Sequence, residues 1–300
     1  MRTITEKEFS KEYLIYKNLT PGKDDKTYIA MRENSEGVPF AVILKELSEK
    51  RVSVYQELCN MWNPYAANTY EILKVINPDN QHCKRYIAVT EYVMADGCAD
   101  AESLSLTEFV QRNGRLSEKT ALYIAIQICE GLKEFHKKGL LHRDIKPDNI
   151  MICQYDVSLP KIKIVDFGGG KRINPDHLSE TTVVGTLGYQ APESLSSGTT
   201  NRSDIYSIGC LLNYLLTGQD PGISRYQGNH YIVSIIERAI SADPYSRFAS
   251  VTAMKKQMEH EFGARLIDRI PLLRTVPGFR THTLWKEIIA GLSYSTVLTY

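Results

Sequence analysis

The character of the chain changes once, between residues 90 and 104, and that change limits the folds open to it. Before it lie short extended runs, Tyr13–Tyr16, Thr27–Met31, Phe40–Leu44, Tyr70–Ile76 and Tyr86–Thr90, parted by polar turns such as Asn34-Ser35-Glu36-Gly37. One helical stretch, Ser48–Trp62, interrupts them and sets Val52, Tyr55, Cys59 and Trp62 on one stripe. From about Leu104 the periodicity is helical. Ser117–Lys138 has apolar residues at helical spacing, a serine at its N-cap and Gly139 at its end. Further helices are expected over Ser203–Leu216, Tyr231–Ser241 and Ser250–His260. A small strand-rich lobe followed by a larger helical one is an α+β arrangement with a cleft between the lobes, the usual place for a ligand.

Two short segments in the helical half carry chemistry. His142-Arg143-Asp144 is followed by Lys146 and Asn149, just past the long helix. Transfer of a phosphoryl group to a hydroxyl needs a carboxylate that orients the attacking oxygen and takes its proton, and Asp144 is placed for that. Lys146 can neutralise charge on the moving group, and Asn149 can offer an oxygen to a metal ion. Further on, Asp166-Phe167-Gly168 follows the apolar run Ile162-Lys163-Ile164-Val165. Its aspartate suits Mg²⁺, which prefers hard oxygen donors and substrate phosphates. Asp and Asn are also common turn residues, so either segment alone is weak. Their order and separation together are specific.

On these residues the chain resembles the protein kinase superfamily, in its serine/threonine branch as found in eukaryotes and many bacteria. The resemblance implies a two-lobed protein-kinase fold over residues 12–262. Its N-lobe would span about 12–91 and its C-lobe about 94–262, with ATP and Mg²⁺ bound between them. Ala191-Pro192-Glu193 matches the motif that closes the activation segment, with Arg247 as the buried partner of Glu193. Asp204 matches the helix aspartate that braces the catalytic loop, and Lys146 follows the serine/threonine pattern. Thr186 matches the threonine that helps hold the substrate hydroxyl. His142 and Phe167 are read as packing residues.

The small lobe follows the pattern less closely. Val42-Ile43-Leu44-Lys45 makes Lys45 the clamp on the α- and β-phosphates, with Ile43 over the adenine. Its ion-pair partner is expected on the Ser48–Trp62 helix. Glu57 is chosen because it faces away from the Val52/Tyr55/Cys59 stripe, with Glu49 as the alternative. Thr90 would stand beside the pocket, and the backbone of Glu91 and Val93 would bond the adenine. In Leu19-Thr20-Pro21-Gly22-Lys23-Asp24-Asp25, only Gly22 survives of the three glycines that let backbone approach phosphates.

The resemblance also implies activation by autophosphorylation at Thr182, with Thr181 and Ser179 as neighbours and Arg143 as the charge partner. The depleted glycine segment keeps a rival reading open, a pseudokinase or scaffold that binds partners without turnover. A small-molecule phosphotransferase shares the chemistry but needs no peptide-shaping Gly185-Thr186 or Ala191-Pro192-Glu193. Residues 263–300 lie beyond the resemblance. Their stretch Leu284–Leu292 reads as an amphipathic helix, docked on its own domain or serving as an interfacial anchor.

Composition fits such an enzyme. A formal net charge of +1 gives no hint of a nucleic-acid partner. The six cysteines show no C-x-x-C pair, which points to a reducing, cytoplasmic setting. No apolar run approaches a membrane span, so membrane association would run only through the C-terminal extension. The expected partner is a protein presenting serine or threonine.

Overall fold

In the computed structural model, the described residues are 1–21, 26–77, 80–98, 103–167, 171–172, 188–195 and 198–268. Gly22, Thr181 and Thr182 lie outside them, as do Ser179 and Thr186 and the chain beyond Asp268. In the first lobe the elements are β1 (Arg2–Thr5), α1 (Glu6–Glu12), β2 (Leu14–Asn18), β3 (Thr27–Glu33), β4 (Pro39–Leu47), α2 (Glu49–Cys59), β5 (Thr69–Asn77) and β6 (Asn80–Glu91). The second lobe continues with β7 (Leu104–Ser105), α3 (Leu106–Asn113), α4 (Glu118–Lys137), β8 (Leu140–Leu141), β9 (Ile150–Gln154), β10 (Lys161–Ile164) and β11 (Lys171–Arg172). It ends with α5 (Asn201–Thr217), α6 (His230–Ala239) and α7 (Val251–Asp268). The two-lobed α+β architecture is the expected one.

The strands of the first lobe form one sheet in the order β1-β5-β6-β4-β3-β2. Alternation along β4 decides what faces what. Val42 and Leu44 are buried with Leu73, Val75, Ile87 and Val89 on one side of the sheet. Ile43 and Lys45 point to the other side, where they line the interlobe cavity.

The first twelve residues are integral to this lobe, which the sequence reading did not anticipate. β1 pairs in parallel with β5, and Thr5 with Glu8 forms a capping box that starts α1. Ile4, Phe9 and Tyr13 are buried against the outer face of the sheet. Arg2 and Arg32 both bond Glu71, which ties the arm to β5 and β3.

Packing in the second lobe is organised by α4. Ser117 caps it, Gly139 ends it in a left-handed conformation, and Ala121, Leu122, Ile124, Ala125, Ile128 and Leu132 are buried along it. α5 packs on both α4 and α6. At Gly209 the approach of α6 is close: an added Cβ would stand 2.7 Å from the Ala239 methyl and 2.9 Å from Ile240 Cγ2. We expect Gly209→Ala to destabilise the fold by about 1–3 kcal/mol through overpacking. Urea unfolding of the two proteins would measure it. Two helices free to move apart would show no loss.

Candidate active site

Buried strand β8 delivers the chain into the loop 142–149. The loop is held by Asp204 of α5, a fully buried carboxylate. It accepts from the backbone N–H of His142 at 3.0 Å and of Arg143 at 2.8 Å, and from His136 Nε2 at 2.8 Å. Burial pushes the Asp204 carboxyl up, but the bond from His136 and the charges and N–H groups around it outweigh that, so it lies below the usual range. This bracing explains a backbone oddity. Arg143 has φ 68°, a left-handed conformation that a non-glycine residue holds only when its surroundings enforce it.

His142 is fully buried, and burial lowers its pKa, so the ring stays neutral. Its Nε2 donates to the Val165 carbonyl at 3.0 Å, and its ring packs at a tilt against Phe167, with centroids 4.7 Å apart. Phe135 also packs against Phe167, with centroids 4.6 Å apart. Both residues are in packing roles, and together they join the loop to the segment that carries Asp166.

The loop then closes on itself. Asn149 Nδ2 donates to the Asp144 carbonyl at 2.7 Å and to its Oδ2 at 2.9 Å. Lys146 Nζ lies 3.1 Å from the same Oδ2. With both amide hydrogens turned to Asp144, Asn149 keeps its oxygen as the group able to coordinate a cation. Next to it Asp166 has φ 61°, a second left-handed non-glycine residue. Its carboxylate is paired with Lys45 Nζ.

A cavity of about 620 Å³ runs between the lobes. Ile43 and Ile29 line it from the sheet, Met151 and Val165 from the second lobe, and Thr90, Glu91 and Val93 along the connecting edge. Lys45, Asn149 and Asp166 line its polar end. Asn149 and Asp166 offer two hard oxygen donors to one space, a set that fits Mg²⁺ completed by water and phosphate oxygens.

The structure does not bring Glu57 to Lys45. Among the described residues the ion pair of Lys45 runs to Asp166, and the side chain of α2 that lines the cavity is Tyr55. Two positions along a helix are about 200° apart, so when Tyr55 faces the cavity Glu57 faces away. Glu49 is turned outward and bonds Lys84 at 2.6 Å. Of the expected stripe Val52/Tyr55/Cys59/Trp62, Tyr55 is buried, Val52 and Cys59 are partly buried and Trp62 is 79% exposed; the buried residues of α2 are Val54, Tyr55 and Leu58. That Tyr55 lines the cavity was not legible in the periodicity.

Also missed was the anchoring of Glu91. Its carboxylate accepts from Asn68 N at 3.0 Å and Asn68 Nδ2 at 2.9 Å, and pairs with Lys163 of β10. Long-range side-chain pairs of this kind leave no trace in local periodicity.

Arg247 and Glu193 meet as expected, through paired bonds of 2.8 Å each. Tyr189 and Ala191 are buried before Glu193, and Ser207 Oγ donates to the Tyr189 carbonyl at 2.8 Å.

Comparison with known proteins agrees with this arrangement. The sequence pattern of the protein kinase domain matches residues 22–269. The chain therefore belongs to the protein kinase domain family. Its relatives are serine/threonine-protein kinases. The chain is 30% identical to Pkn1 of Myxococcus xanthus over 188 residues, 54% of this chain and 27% of that protein. It is 30% identical to PrkC of Bacillus subtilis over 202 residues, 60% of this chain and 29% of the other. With the serine/threonine-protein kinase cds1 of Schizosaccharomyces pombe the identity is 31% over 286 residues, 85% of this chain and 58% of the relative. Matches to the two bacterial proteins thus span less than a third of their length.

Proposed function

We propose that this domain transfers the γ-phosphoryl group of ATP to serine or threonine hydroxyls of proteins. One observation carries the reading. The Asp144–Lys146–Asn149 ring adjoins a cavity in which Lys45 and Asp166 share an ion pair. Adenine would lie against Ile43, bonded by the backbone of Glu91 and Val93. Gly22, outside the described residues, would approach the phosphates. Lys45 would leave Asp166 for the α- and β-phosphates as Asp166 and Asn149 take Mg²⁺. Bound there, the metal would neutralise charge on the phosphates. Asp144 would orient the acceptor hydroxyl and take its proton, and Lys146, already against Asp144, would offset charge on the transferring group.

Tyr55 at the cavity wall, in place of a helix carboxylate, makes Asp166 the residue that holds Lys45 before nucleotide arrives. Control by phosphate at Thr182 or Thr181 belongs to the same proposal. Arg143, partly desolvated beside Asp144, is suited to meet a dianion.

The scaffold reading is disfavoured because Lys45, Asp144, Asn149 and Asp166 are all present and all but Asp144 line the cavity. The test is incubation with γ-labelled ATP and Mg²⁺ alongside Asp166→Asn. Label should reach serine or threonine on the protein itself or on a generic acceptor, and should vanish on chelation of Mg²⁺ and in the variant. Absence of transfer from the unaltered protein, with no nucleotide bound, would establish the scaffold instead. Among the described residues no helix is long and apolar enough to cross a membrane.

A further inference from the structure

Glu91 is held more firmly than a connecting residue needs to be. Its N–H donates to the Asn68 carbonyl at 2.8 Å, and Asn68 returns two bonds to the Glu91 carboxylate, from its backbone N–H and its side-chain amide. The second carboxylate oxygen is paired with Lys163 Nζ, and both side chains are about four-fifths shielded, at 18% and 19% exposure. Shielding of that degree makes the pair stronger than an ordinary surface ion pair.

Lys163 is itself on a fixed strand. β10 pairs with β9, with Lys163 opposite Met151, a residue of the cavity wall. The segment 65–67 is bonded to β10 as well. Ile164 N–H donates to the Tyr65 carbonyl at 2.8 Å, and Ala67 N–H to the Ile164 carbonyl at 2.9 Å. Asn68 follows directly. Glu91 is therefore gripped from two sides by pieces that are bonded to each other, and β10 leads straight to Asp166.

We propose that Lys163 is a positioning residue for purine selection, acting through Glu91. The assignment rests on the reading of the cavity as an ATP site. A peptide whose side chain is fixed on both carboxylate oxygens cannot turn to suit the ligand. Glu91 lines the cavity, and in the ATP-site reading its carbonyl is the acceptor matched to the exocyclic amine of adenine. Guanine presents a carbonyl at the corresponding position, and two acceptors facing each other leave both without a donor, which costs far more than a missing methyl group would. Without the Lys163 pair, Asn68 alone holds the Glu91 side chain at the end of β6, and the peptide that follows gains freedom to rotate towards guanine.

The experiment is calorimetric binding of a non-hydrolysable ATP analogue and its GTP counterpart to the whole chain, as wild type, Lys163→Met and Lys163→Arg. The wild type should prefer the adenine analogue. Lys163→Met should lose about five- to tenfold of that preference, the effect of one hydrogen-bond-sized term, and Lys163→Arg should recover most of it. A general loosening of the fold would weaken both ligands alike, so an unchanged ratio in Lys163→Met overturns the assignment whatever happens to its melting temperature. A wild type that binds neither analogue overturns the ATP-site reading itself, and this assignment with it.

Discussion

Asp144→Asn is expected to lower phosphoryl transfer by about 10²–10⁴-fold, the usual contribution of a positioned general base, while leaving the protein folded and able to bind nucleotide. Asparagine has the shape of aspartate and keeps an oxygen where Asn149 Nδ2 and Lys146 Nζ bond Oδ2 at 2.9 and 3.1 Å. The bond from Asn149 to the carbonyl of residue 144 uses backbone alone and is untouched. What disappears is the negative charge and the capacity to take a proton. Single-turnover transfer, nucleotide titration and thermal melting on the same preparations separate these contributions. The rate should collapse, the affinity should hold, and the melting temperature should move by no more than about 2–4 °C, equivalent to roughly 1 kcal/mol in a chain of this size. A variant that keeps its rate within a few-fold would remove Asp144 from the chemistry.

The contrast with Lys45 shows what the sequence could and could not disclose. Asp144, Lys146 and Asn149 lie within one short loop, so their association is readable from the chain. Ile43 and Lys45 share a face because a strand alternates, and that too follows from local order. The partner of Lys45 depends instead on which face of α2 meets the cleft. Periodicity identifies a stripe but not what it packs against, and of α2 it is Tyr55 that lines the cavity. β1 escaped for a related reason. Four residues, Arg2–Thr5, carry too short a pattern to announce a strand, and their pairing partner in β5 is remote in the chain. Lys163 with Glu91 is the same case at the level of side chains. Where a site is built from neighbours in sequence it was legible; where it depends on packing between lobes it was not.

The largest effect on stability is expected at Arg247, which is 1% exposed and uses all five of its guanidinium N–H donors. Nε donates to the Ser241 carbonyl at 2.8 Å. Nη1 serves Glu193 Oε1 at 2.8 Å and the Arg202 carbonyl at 3.0 Å, and Nη2 serves Glu193 Oε2 at 2.8 Å and the Ala242 carbonyl at 3.3 Å. Arg247→Ala strands the Glu193 carboxylate and three carbonyls, and should cost about 3–5 kcal/mol, the usual loss when one partner of a buried pair is removed. Arg247→Lys should recover only a minor part, since an ammonium cannot reproduce the planar fork. A Glu193→Ala/Arg247→Ala double variant should lose less than the sum of the two single losses, because the first removal already forfeits the pair. The pH dependence gives an independent check. Burial pushes the Glu193 carboxyl up, but bonds from Arg247, the backbone and Ser203 outweigh it and hold it below the usual range. A depressed carboxyl stabilises the fold fully above its unfolded pKa, about 4.3, and loses that contribution as pH falls through the folded value. In Arg247→Ala the carboxyl is left nine-tenths buried without its cation, so protonation relieves it. Urea unfolding at pH 7 and pH 4 should therefore show the gap between wild type and variant narrowing in acid. A gap that stays constant would mean that the guanidinium matters for its packing and not for the charge of Glu193.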